Sequence, residues 1–261
     1  MIQIIFYHFL IFSIEKARKR RYPTEEFDSH NQPEGKSAMS NKPVLPSKEQ
    51  TEWLRSEVGV IIHLDLQVFE NTYNFRDQWG YTPSPQIFQP TELDTDQWIS
   101  TAAEAGAKYA ILVAKHCSGF SLWPTRAHSY NVASSPWRDG KGDIVADFIA
   151  SCRKYGVKPG IYCSASANTY LHVDNPGVVV GGTPEDNRKY NEIVIQQLTE
   201  LWSNYGPLFE LWFDGGVLPV EKGGPPVAEL KKKLQPDAIV FEGPRGCPNR
   251  IRHSGAEDGS A

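Results

Sequence analysis

The chain lacks the spacings that most cofactor and metal sites leave in a sequence. Its four cysteines, Cys117, Cys152, Cys163 and Cys247, include no C-x-x-C pair, and no set of histidines and carboxylates has convincing metal-ligand spacing, so no metal is expected. G-x-G-x-x-G and the full phosphate loop G-x-x-x-x-G-K-[ST] are absent, the lone GKS at residues 35–37 lacking the first glycine, which removes the usual nucleotide and phosphate cradles and leaves no cofactor to expect. G-x-S-x-G is absent too, and the serine of HCSGF has a histidine beside it only by local sequence, which argues against a serine nucleophile. Charge of one sign is also missing. The net charge of −4 and isoelectric point near 6.0 give no general pull toward nucleic acid or anionic membranes, and the basic cluster at residues 16–21 is too local to change that.

Long apolar runs are scarce. The opening MIQIIFYHFLIFSI carries His8, is shorter than a membrane span, and is followed by EKARKRR instead of being preceded by a positive segment, so it makes a poor signal peptide. A short signal-anchor and a start absent from the mature protein are equally consistent with it. Residues 22–52, rich in Pro, Ser, Glu and Asn, read as a linker. Residues 1–52 are therefore expected to be a poorly ordered lead-in, and residues 53–261 one folded domain.

What is present is a regular alternation. The chain has 261 residues, 40% hydrophobic and 22% charged, an ordinary globular balance for one α/β domain. Gly106, Gly156 and Gly206 stand fifty residues apart, each after a segment of helical periodicity and each followed by an apolar run: EAGAKYAILVAKH, KYGVKPGIYCSAS and NYGPLFELWFDGG. Each block reads as a βα unit with glycine just past the helix end. Asp94 or Thr95, Asp143, and Thr183 followed by Pro184 supply the helix starts. An earlier strand at VGVIIHL and a later one at AIVFEG extend the pattern to five strands. The expected fold is a (β/α)8 TIM-like barrel, with about five to six βα units present, since a full barrel takes about 250 residues.

In such a barrel the chemistry stands at the carboxyl ends of the strands. Here those ends carry His63, then Lys115 and His116, then Tyr162 and Ser164, then Asp214, then Glu242. Asp214 precedes two glycines. That pattern is also ordinary turn chemistry, but a hydrogen-bonding or ionisable residue ends every strand, and that recurrence favours a shared site. Trp79, Trp123, Trp137, Trp212, Phe120 and Tyr81 fall mostly in loops or strand ends on the same side, and aromatic faces beside hydrogen-bonding groups suit the C–H faces of a sugar. Cys117 and Cys163, at strand ends, are expected as buried small residues or pocket lining, not disulfide partners.

From about Val58 onward the chain resembles glycoside hydrolase family 29, the retaining α-L-fucosidases, through FQPTELDTDQW, AGAKYAILVAKHCSGFSLWPT, GDIVADFIASCRKYGVKPGIYCS and LWFDGG. The longer runs look most like the branch acting on α-1,3/1,4-linked fucose. The resemblance implies that Asp214 is the nucleophile and that His63, His116, Tyr162, Trp212 and the pair Gln78-Trp79 contact the sugar. In the family pattern K-H-H-D-G-F the second histidine is replaced by Cys117, and in E-W the glutamate is replaced by Gln78. A segment like W-x-G-N-E-x-G maps onto HSGAEDG, which makes Glu257 the implied acid/base, with His253 and Ala256 departing from the pattern and Glu242 as the fallback.

The resemblance further implies a fucosylated oligosaccharide or glycoconjugate as substrate, no metal or nucleic acid, and a secreted or lysosomal location. Two rival readings follow from the residues. One is a truncated, catalytically weak or inactive fucose-binding homologue, and the other a metal-dependent hydrolase of the same fold.

Overall fold

The computed structural model of the protein describes residues 45–73 and 81–252 in full and residues 3–8 as backbone. Along the chain run β1 (Gln3–His8), α1 (Lys48–Ser56), β2 (Val58–His63), α2 (Thr95–Glu104), β3 (Tyr109–Lys115), α3 (Ile144–Tyr155), β4 (Lys158–Cys163), β5 (Val173–Asp174), β6 (Val178–Val179), α4 (Pro184–Asn204), β7 (Glu210–Trp212), α5 (Val227–Leu234), β8 (Ile239–Phe241) and β9 (Arg250–Ile251). One sheet takes the order β1-β2-β3-β4-β7-β8-β9, and β5 with β6 forms a separate small ribbon. Within the large sheet every pairing from β2 to β9 is parallel, whereas β5 and β6 pair antiparallel. β1, from the apolar opening segment, runs antiparallel along the outer edge of β2.

The helices start and stop where the side chains dictate. Asp94 and Asp143 accept hydrogen bonds from the amides of Gln97 and Ala146, and Thr183 and Asp186 form a reciprocal capping box at the head of α4. Gly156 closes α3 in the left-handed region, with φ of 68°. α1 begins at Lys48, inside the stretch read as linker, on a capping box between Ser47 and Gln50.

Strand alternation sorts the sheet into two faces. One face carries Val60, Ile62, Ala110, Leu112, Ile161, Leu211, Phe213 and Val240, packed with Trp98 and Ile99 of α2, Phe148 and Ile149 of α3, Val194, Leu198 and Leu201 of α4, and Val227 of α5. The other carries Ile61, Tyr109, Ile111, Val113, Tyr162, Trp212 and Phe241, and among the described residues no helix residue joins that cluster. The layered α/β alternation with a mostly parallel sheet is thus present, and α2 to α5 cover a single face of it.

Candidate active site

The carboxyl edge of the sheet is re-aimed at β3. Strict alternation from Tyr109, Ile111 and Val113 would put Lys115 on the Tyr162 face and His116 on the helix face. Instead the register shifts between Val113 and Lys115, so that Val113 faces Tyr162 on β4 and Lys115 faces Cys163. Such a bulge turns two consecutive side chains to one side. Lys115 therefore points into the helix layer, only 1% exposed, and its ammonium donates to Gln197 Oε1 on α4 at 3.0 Å. Burial holds its pKa below the ordinary lysine value. His116 takes the place on the opposite face.

The result is a row of four groups. The His63 and His116 rings lie 4.6 Å apart between centroids, and the His116 and Tyr162 rings 5.7 Å apart. Tyr162 Oη donates to Asp214 Oδ2 at 3.3 Å. Burial, and then the Asp214 carboxylate, push the Tyr162 phenol well above its usual pKa, so it stays a neutral donor. Asp214 is itself exposed, with its carbonyl held by Ser166 Oγ at 2.9 Å. The two glycines after it have φ of 71° and 77°, a region L side chains avoid, and a Cβ on Gly215 would stand 2.7 Å from Ser166 Oγ. The turn and the exposed carboxylate are one feature: the glycines bend the chain away and leave the acid facing out.

The other expected residues stand outside that row. Trp212 is buried, with its ring stacked on Phe241 at 3.7 Å. Ser164 is taken up within its own loop, donating to the Ala167 carbonyl. Glu242 pairs with Arg250 at 3.5 Å, at a backbone φ of 53°. Gln78, Trp79 and Glu257 lie outside the described residues. The expectation that the loop aromatics face a sugar is corrected for Phe120, Trp123 and Trp137, which are buried in the helix-side core. Trp123 Nε1 donates to the buried Glu200 of α4. Cys163 is buried and Cys117 partly so, and both are unpaired thiols. Burial, with the Asp214 carboxylate adding to it, raises the Cys117 thiol to about 11.

Sequence reasoning passed over Asp65. It is buried, accepts from the Leu66 amide at 2.7 Å and from Ser118 Oγ at 2.8 and 2.7 Å, and stands 3.9 Å from His63 Nε2. Its signal was the H-x-D spacing at a strand end, which puts residue 65 back on the face of residue 63 wherever the strand geometry continues. Chemically, the edge offers an exposed carboxylate, a neutral phenol beside it and two imidazoles in line, a set that can hold several hydroxyls of one small polyol and present a nucleophilic oxygen to it.

The family comparison agrees with that chemistry. The model of the family described as alpha-L-fucosidase matches residues 5–240. The chain belongs to the alpha-L-fucosidase family. Alpha-L-fucosidase 1 of Arabidopsis thaliana is 34% identical over 202 residues, which is 76% of this chain and 37% of that protein. A crystallised candidate alpha-L-fucosidase from Bacteroides thetaiotaomicron superposes with a TM-score of 0.71 at 38% identity, over 76% of this chain and 46% of the other. A glycoside hydrolase 29 family member from an unknown rumen bacterium gives a TM-score of 0.63 at 28% identity, over 81% of this chain and 38% of its own. The chain thus spans less than half the length of each of these relatives. Asp214 and the other members of the row fall inside the matched residues, and Glu257 falls beyond them.

Proposed function

We propose that the chain carries the sugar-binding row and the nucleophile of a retaining exo-α-L-fucosidase, acting on terminal fucose of a glycan. The observation that carries this is Asp214 itself: an exposed carboxylate at the end of β7, hydrogen-bonded to a neutral Tyr162 in line with His116 and His63, in a chain of this family. Asp214 attacks the anomeric carbon, the bond to the leaving oxygen breaks as a proton is delivered to it, and water then cleaves the covalent fucosyl-enzyme with net retention. His63, His116 and Tyr162 hold the sugar hydroxyls, with Trp212, Gln78 and Trp79 completing the pocket. Glu257 is the proposed proton donor, and the α-1,3/1,4 linkage preference rests on the sequence runs alone. A secreted or lysosomal location accompanies this reading and rests on the family.

We further infer a (β/α)8 barrel. All four helices from α2 to α5 pack on one face of the parallel sheet while the apolar and site residues share the other, as in a sheet that curls around its own interior; a doubly wound sheet has helices on both faces.

The deciding experiment is hydrolysis of an aryl α-L-fucoside by the purified chain and by Asp214→Gly. Wild type is expected to release L-fucose with retention. The variant is expected to lose at least a thousandfold, and to form the inverted fucosyl azide when azide is added in place of the missing carboxylate. Unchanged turnover in the variant would sink the assignment. In the same assay Glu257→Ala should lose far more on a fucosylated glycan than on an aryl fucoside, whose leaving group needs little protonation; equal losses would remove Glu257 from the role. The half-buried Cys117, at the place of a family histidine, supports the rival reading of a fucose-binding homologue, which predicts calorimetric fucose binding with no turnover.

A further inference from the structure

An imidazole and a carboxylate two residues apart at the end of β2 meet a second imidazole at the end of β3. One donor atom from each of His63, Asp65 and His116 lies within 4.8 Å of the other two. Two further observations bear on what that cluster is for. The Asp65 carboxylate is buried and fixed by the Leu66 amide and Ser118 hydroxyl, and among the described residues the only cationic group that pairs with it is His63, which is charged only if protonated. The facing nitrogen, His63 Nε2, is buried with no hydrogen-bond partner among the described residues. A buried carboxylate and an unpartnered buried imidazole nitrogen each cost free energy until something positive or polar satisfies both.

We propose that His63, Asp65 and His116 bind one first-row transition-metal ion, with Zn²⁺ the best fit. Two imidazoles and one carboxylate form the donor set of a three-ligand zinc site that leaves a fourth position for water or another oxygen. The hydrogen bonds on Asp65 are the outer support such carboxylates carry. Magnesium and calcium fit less well, since they select oxygen ligands. Tetrahedral bonds of about 2.0–2.1 Å set donor atoms about 3.4 Å apart. The 3.9 Å between His63 Nε2 and Asp65 Oδ2 closes to that with a small rotation of the ring, and a rotation of the His116 ring closes the remainder. The bulge that brings His116 onto this face is therefore also what completes the donor set.

The site shares its histidines with the proposed sugar pocket, so ion and sugar compete for the same nitrogens. Binding of the ion does not depend on the fucosidase reading and is tested without any sugar. The chelator-stripped full chain is titrated with ZnCl₂ by calorimetry, alongside Asp65→Asn and His116→Ala, with thermal melts of each variant in the absence of metal to establish folding. The expected result is one ion per chain, a rise in melting temperature with Zn²⁺ for wild type, and at least tenfold weaker binding with loss of that rise in each variant. If one variant does not fold, the other decides. No saturable binding by wild type, or wild-type affinity retained in the folded variants, overturns the proposal.

Discussion

Asp214 and Tyr162 function as a pair because of what each lacks alone. An exposed carboxylate has no fixed direction, and a buried phenol has no reason to sit at a strand end. Together, the phenol donates at 3.3 Å to Oδ2 while Ser166 and the left-handed glycines fix the backbone beneath the acid. A hydrogen bond to a charged group contributes about 1.5–3 kcal/mol. Tyr162→Phe is therefore expected to lower kcat/KM on an aryl fucoside about ten- to a hundredfold; a variant with full activity would show that the contact does nothing for the reaction. Asp214 was legible in the sequence because the glycines after it and the repeat around it both mark a strand end. Asp65 was less so. Its partners, Ser118 and His63, come from two separate strand ends, and nothing local in IIHLDL shows that they meet.

At the scale of elements, α4 fixes the long loop that follows β3. Its Glu200 accepts from Trp123 Nε1 at 3.0 Å, Thr125 Oγ1 at 2.6 Å and the Arg126 amide at 3.1 Å, all around a buried carboxylate. Glu200→Ala leaves these donors without their acceptor, at about 1–3 kcal/mol for each buried group left unpaired. A loss of about 3 kcal/mol or more in urea unfolding is expected, with the indole fluorescence of the loop tryptophans moving to longer wavelength; a change under 1 kcal/mol would mean that water replaces the carboxylate freely. This anchoring explains why Trp123 and its neighbours were misread as sugar platforms: a tryptophan in a loop looks exposed until the helix it bonds to is known. The βα order, the capping residues and the helix-ending glycines were all readable, since each is a local preference. The bulge at Val113 was not, because a register shift is a property of two strands paired, and the strand end alone does not show which of Lys115 and His116 faces the site. The two-residue strands β5, β6 and β9 are too short to carry any periodicity. α1 was hidden by its polar composition, although its capping box, S-K-E-Q, stood in plain view.

For the whole molecule, the face opposite the helices is closed at the amino end of the strands by an unusual group. Glu210 opens β7 between Gly160 of β4 and Ile239 of β8, with 0% of its surface exposed. Trp53 of α1 donates to Oε2 at 2.7 Å, and Oε1 has no partner among the described residues. Burial raises its pKa from 4.5 to about 8, the Trp53 hydrogen bond opposing the shift only in part. The folded chain thus keeps a proton on Glu210 that the unfolded chain releases near pH 4.5, and between those values the native state binds more protons. Stability from this group is complete below about 4.5 and is lost as pH rises through about 8. At about 1.4 kcal/mol per unit, the slope is large enough to be seen against the other titrations of a single domain. Glu210→Gln keeps the shape and an oxygen for Trp53 while removing the ionisation. Comparing urea midpoints at pH 5.5 and 8.5, wild type is expected to fall relative to the variant by a few kcal/mol as pH rises. The strain falls where α1 docks on the sheet, so Trp53 fluorescence should report the opening first. Parallel pH dependences in the two proteins would show that Glu210 is already ionised in the fold, with Trp53 and unseen water meeting its charge.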